Sequence, residues 1–131
     1  MSLPVAKLIL DTPHAHYHPG ERLTGRYLLS GAHWQVRAAE LSVLWYTAGK
    51  GEEDMAVHHF ERLVDEPATP LDLRVPRRFA TLLPASPLSY DGVIVKVCWC
   101  VRLRLFEVLA AGPLADWNWP NARFDCLLEM Y

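Results

Sequence analysis

The sequence lacks a basic block, a long apolar run and sustained helical periodicity, and each gap closes off a class of function. Its 13 Lys and Arg against 15 Asp and Glu give a formal net charge of −2. No bulk positive potential is present to attract a phosphate backbone, so nucleic acid is not an expected partner. Lys96, Arg102 and Arg104 interrupt the most hydrophobic stretch, well short of the ~18 apolar residues that a membrane-spanning helix needs. The start, Met1-Ser2-Leu3-Pro4, carries no basic segment followed by an apolar one, so no secretory signal is expected and the chain reads as cytoplasmic. Cysteine is scarce and odd in number at 3, which argues against a disulfide framework and for free thiols in a reducing compartment.

What remains suits one folded domain over residues 1–131, since 51% of the residues are hydrophobic and 21% charged, too apolar for disorder. The apolar residues recur with period two, the mark of strands with one buried face. Leu3, Val5 and Ile9, or the alternate set Ala6, Leu8 and Leu10, give a first strand. Leu23, Gly25, Tyr27 and Leu29 share a face of a second, and Leu41, Val43 and Trp45 a face of a third. Ala48-Gly49-Lys50-Gly51 then turns the chain into a fourth strand from about Asp54 to Val64, with glycines able to adopt positive φ.

Residues 65–87 hold five of the ten prolines, which restricts them to short or edge strands because proline donates no ladder hydrogen bond. The strongest pattern runs from Val93 to about Val108, with Val93, Val95, Val97, Trp99, Val101, Leu103 and Leu105 on one face and Ile94, Lys96, Cys98, Cys100, Arg102, Arg104 and Phe106 on the other. A strand this long is expected to twist, bulge or change sheets. After a loop from Ala110 to Asn121 comes a last strand, with Phe124, Cys126, Leu128 and Met130 inward. About eight short strands without an amphipathic crossover helix predict an all-β, immunoglobulin-like antiparallel sandwich, with a closed barrel as the competitor.

Two turn motifs sharpen this reading. Tyr17-His18-Pro19-Gly20-Glu21-Arg22-Leu23-Thr24-Gly25 resembles the segment that opens the second strand of arrestin-like domains. Leu83-Pro84-Ala85-Ser86-Pro87-Leu88-Ser89-Tyr90-Asp91-Gly92 is similar to the turn before the long strand in α-arrestins and their relatives. The resemblance implies a sandwich used for protein binding, as in arrestins, the arrestin-like subunit of retromer and bacterial sporulation-control proteins. Arrestins have two such domains and this chain holds one, so receptor, clathrin or ubiquitin-ligase functions do not carry over. Both motifs also have a purely conformational reading, because Pro-Gly and Asp-Gly are turn formers in any family.

Constellations able to carry chemistry are few. His14, His16 and His18 alternate before Pro19 and would face one way in an extended segment, as a metal or small-ligand site could use, with His58 and His59 as unpaired additions. Pro13, Pro19 and Gly20 oppose that geometry, and solvated loop histidines are the plainer account. Cys98 and Cys100, even with Cys126, lack the spacing and ligand number of a structural zinc site and read as small buried hydrophobes. The serines lack a nucleophile elbow, Gly49-Lys50 lacks a phosphate-loop frame, and Glu52-Glu53-Asp54 reads as a solvated hairpin tip.

The sequence therefore points away from an enzyme and from a cofactor, and toward an intracellular adaptor, scaffold or assembly subunit. Its alternative is a metal- or small-ligand-binding protein built on His14, His16 and His18. A carbohydrate-binding sandwich is a third reading, which the missing secretion signal disfavours. Trp117 and Trp119 are candidate partner contacts, since indoles are enriched at interface hot spots, against the reading that they cap the sandwich. Lys96, Arg102 and Arg104 are expected as an outward charged row, paired with carboxylates of a neighbouring strand or open to a ligand. Association is expected through edge strands, the first strand and the proline-interrupted segment, with a protein partner or in a homo-oligomer.

Overall fold

The computed structural model describes residues 5–12, 14–30, 34–51, 53–110 and 118–131, and the side chains within them except at positions 34, 107–110 and 118–121. Among the described residues there is no helix, and nine strands run β1 (Val5–Leu10), β2 (His16–Tyr17), β3 (Arg22–Ser30), β4 (Trp34–Gly49), β5 (Met55–Val64), β6 (Arg77–Leu82), β7 (Tyr90–Asp91), β8 (Val95–Ala110) and β9 (Asn118–Met130). They form two sheets: a small one in the order β1-β3-β6, and a large one in the order β2-β9-β8-β4-β5, with β7 also pairing with β8. Every pairing is antiparallel except the short β2-β9 contact, which is parallel.

The period-two pattern decides what lies between the sheets. Leu23, Tyr27 and Leu29 of β3 and Phe79 of β6 meet Leu41 and Val43 of β4, Trp99, Val101, Leu103 and Leu105 of β8, and Leu128 and Met130 of β9 in one buried cluster. Burying each such side chain is worth roughly 1.5–3 kcal/mol, so this layer supplies most of the driving force. The indole N–H of Trp99 donates to the Pro87 carbonyl at 2.8 Å, which ties the turn before β8 to the core. Of the two sets offered by β1, the alternate one, Ala6, Leu8 and Leu10, packs against the cluster.

The structure departs from the sequence pattern in four places. Val93 and Ile94 are exposed turn residues, and β8 begins at Val95, which sits exposed at the end of the sheet. β8 pairs with β4 from one end to the other and does not change sheets. The irregularity falls instead on β5, where His58 is an extra residue: Val43 pairs with His59, and Leu44 with Val57. The histidine loop contains a strand, β2, whose Tyr17 is fully buried.

Both turn motifs serve the fold. In the first, the His18 N–H donates to the Glu21 carboxylate at 2.8 Å and Gly20 has φ +79°, a conformation that favours glycine. Gly25 is required for a different reason: a Cβ there would lie 2.6 Å from the Ile9 carbonyl oxygen and 2.8 Å from the Phe79 ring. In the second, the Ser89 N–H donates to the Met130 carbonyl at 2.7 Å while the Met130 N–H donates to the Ser89 hydroxyl at 2.8 Å.

Candidate interaction surface

The outer face of the large sheet is written by the residues that alternate with the core positions. Reading across β5, β4, β8 and β9, the paired positions place Val57, Leu44, Cys100 and Leu127 in one row, and Phe60, Ser42, Arg102 and Asp125 in the next. Arg62, Glu40, Arg104 and Arg123 follow, while Met55, Tyr46 and Cys98 lie on the opposite side of the Val57 row. The face is thus apolar at one end and charged at the other.

In the apolar half, Leu44 and Cys100 are buried although, among the described residues, no third sheet packs on this face. Burial pushes the Cys100 thiol up to about 11, so this sulfur is an uncharged packing atom and not a nucleophile. Around it stand large side chains in water: Met55 is 56% exposed, Val57 49%, Phe60 53% and Leu127 62%. Scattered apolar side chains are normal on a surface, but a contiguous group marks a contact site.

In the charged half, Glu40 and Asp125 pair three of the four arginines. Arg102 Nε donates to Asp125 Oδ1 at 2.9 Å, Arg123 Nη2 lies 3.1 Å from Asp125 Oδ2, and Arg62 pairs with Glu40. The Arg62 and Arg104 guanidiniums lie 5.8 and 5.4 Å from the Phe106 ring centroid, a cation–π arrangement that holds both extended. Hydrogen bonding to Asp125 also raises the Arg102 pKa.

Lys96, Arg102 and Arg104 do share this outward face, as expected, but they do not form one cationic patch. Lys96 lies toward the opposite end, beyond Cys98, 3.3 Å from Asp91. Trp119 belongs to β9 and not to a loop, with its side chain outside the described residues, and Trp117 lies outside them altogether. Of the three early histidines, His16 and His18 come together, ring centroids 5.9 Å apart, with Tyr131 at 4.6 Å from His16. His14 is not part of that stack, and among the described residues no three His, Cys, Asp or Glu side chains are grouped to hold a metal ion.

Met55, Val57, Phe60 and Leu127 escaped the sequence reading. A signal existed: Leu44 and Tyr46 make β4 apolar on its second face as well, and Leu127-Leu128 places leucine on both faces of β9. The extra His58 shifts the alternation of β5, so Val57 and Phe60, of opposite parity in sequence, point the same way.

No protein-family model and no curated protein matches the sequence. Among solved structures, the chain is similar to the crystal structure of Spo0M, a sporulation control protein from Bacillus subtilis, with a TM-score of 0.62 and 16% identity over 99% of this chain and 50% of that one. The chain thus spans half the length of that protein. Among the described residues, no helix is long and apolar enough to cross a membrane. The fold is the arrestin-like β-sandwich, the one shared with Spo0M.

Proposed function

We propose that this chain is a non-catalytic protein-binding module, an adaptor or assembly subunit, that receives a protein partner on the outer face of its large sheet. The observation that carries the reading is the exposure of Met55, Val57 and Phe60 together along β5, with Leu127 exposed on β9 across the buried Leu44 and Cys100. A flat sheet face of this kind supplies apolar area at its centre, and the ion-paired rim of Arg102, Asp125, Arg123, Glu40 and Arg62 supplies orientation. The free state of Cys98, Cys100 and Cys126 fits a reducing, cytoplasmic setting.

The test is cross-linking in the native host, comparing the wild type with a double variant, Phe60→Glu and Leu127→Glu. Both side chains are exposed, so the melting temperature is expected to hold while the cross-linked partner set disappears. The same partner set recovered with both proteins would overturn the assignment of this face.

A further inference from the structure

The small sheet presents a different chemistry at its β6 edge. In an antiparallel ladder the N–H and C=O of one residue point to the same side, and successive residues point to opposite sides. Leu83 exchanges bonds with the segment leading into β3, its N–H donating to the Glu21 carbonyl at 2.9 Å and its carbonyl accepting from the Gly20 N–H at 3.0 Å. Counting back by two, Thr81, Phe79 and Arg77 also face β3, opposite Leu23, Gly25 and Tyr27. Leu82, Ala80 and Arg78 therefore turn their backbone groups away from β3, toward the side where the sheet ends.

One of those groups is already taken. His58 Nε2 lies 2.6 Å from the Leu82 carbonyl oxygen, and since a carbonyl only accepts, the ring nitrogen carries the proton. β5 thus closes the Leu82 end of the edge without pairing with β6. Arg78 and Ala80 keep their backbone N–H and C=O groups directed outward, a row that another extended chain can complete.

Charge selects the occupant. The guanidiniums of Arg22, Arg26, Arg74, Arg77 and Arg78 belong to β3, β6 and the turn before β6. Asp11 is shared between Arg78, at 2.8 Å, and Arg26, at 3.9 Å, while Asp72 pairs with Arg74 at 2.9 Å. Across the gap, Glu61 hydrogen-bonds His59 at 3.0 Å. Cations remain in excess in a molecule whose net charge is −2. The β6 edge of a second copy would bring a second set of arginines to the same edge, and like charges gathered on facing strands are destabilising. A strand bearing carboxylates gains both the ladder and the charge.

We infer that the β6 edge binds an extended acidic peptide segment by strand addition, through the backbone of Arg78 and Ala80 and the guanidiniums around them. A carboxylate beside Arg78 uses guanidinium donors that Asp11 leaves free. The small side chain of Ala80 and the exposed Leu82 favour an apolar neighbour further along. This contact goes beyond the outer-face reading and does not depend on it.

The test uses a labelled peptide of alternating Glu and Val, its Lys-Val counterpart, and an Ala80→Pro variant. Proline at that position deletes an outward N–H and leaves the bonds to β3 in place. Wild-type protein is expected to bind the acidic peptide, with slowed amide exchange at Arg78 and Ala80, and not the basic one. Ala80→Pro and Arg78→Gln should each weaken binding about tenfold or more, Ala80→Pro with its melting temperature maintained. No acidic-peptide binding up to about 1 mM, or binding that Ala80→Pro leaves intact, overturns strand addition. Equal binding of the basic peptide overturns the charge selection. Phe60→Glu with Leu127→Glu should bind the acidic peptide normally, so a failure here and a failure of the outer face are told apart.

Discussion

Asp11 shows how one side chain can hold a sheet together. It sits just past the end of β1, accepts a hydrogen bond from Thr24 Oγ1 at 2.7 Å and one from Arg78 at 2.8 Å, and faces Arg26, so three strands converge on one carboxylate. The Thr24 hydrogen bond, aided by the Arg78 and Arg26 guanidiniums, holds its carboxyl below the usual range. A lowered folded-state pKa means that stabilisation is fully present above the unfolded value of about 3.9 and is lost as the pH falls through the folded value. Asp11→Asn keeps the shape and removes the charge. It should lower the urea midpoint at neutral pH, and the gap from wild type should close as the pH falls below the usual carboxylate range. Asp72, whose pKa the Arg74 hydrogen bond lowers in the same direction, leaves part of the acid-side decline in both proteins. A constant gap across the whole pH range would remove the charge from the explanation.

Among the elements, β8 carries the clearest contrast between its faces. Val101 is completely buried between the sheets, whereas Lys96 stands in water beside Asp91. Val101→Asp would bury a carboxylate without a partner and should leave no cooperative melting transition, while Lys96→Glu should shift stability by less than about 1 kcal/mol. Similar melting of the two variants would contradict the assignment of faces. This contrast was legible in the sequence, as were the inward sets of β3 and β9 and the Pro19-Gly20 and Asp91-Gly92 turns, because each follows from local alternation or local φ demands. The parallel β2-β9 contact was not legible: it joins His16 to Glu129 and Tyr17 to Met130, and two residues give no periodicity to detect. The apolar outer face was hidden for a related reason, since the extra His58 lies in a run with no glycine to announce a bulge.

At the scale of the whole molecule, the two sheets offer surfaces that obey different physics. Contact on the outer face of the large sheet would bury Met55, Val57, Phe60 and Leu127, beside arginines of which Arg62, Arg102 and Arg123 are already paired with Glu40 and Asp125. Contact at the β6 edge would place carboxylates among guanidiniums that are half exposed or more, as Arg74 and Arg78 are. Salt separates the two. Raising the ionic strength from about 0.1 to 1 M shortens the screening length from roughly 10 to 3 Å, which weakens exposed charge attraction and leaves apolar burial untouched or strengthened. The acidic peptide should therefore lose most of its affinity over that range, while a partner held on the outer face should remain bound and show a negative heat-capacity change. Titration calorimetry at the two salt concentrations measures both. Peptide affinity independent of salt would mean that the arginines around β6 guard an exposed edge against unwanted pairing and recruit nothing. An outer-face complex that dissolves at high salt would shift the binding from the row of Val57 and Leu127 to the arginines at its border.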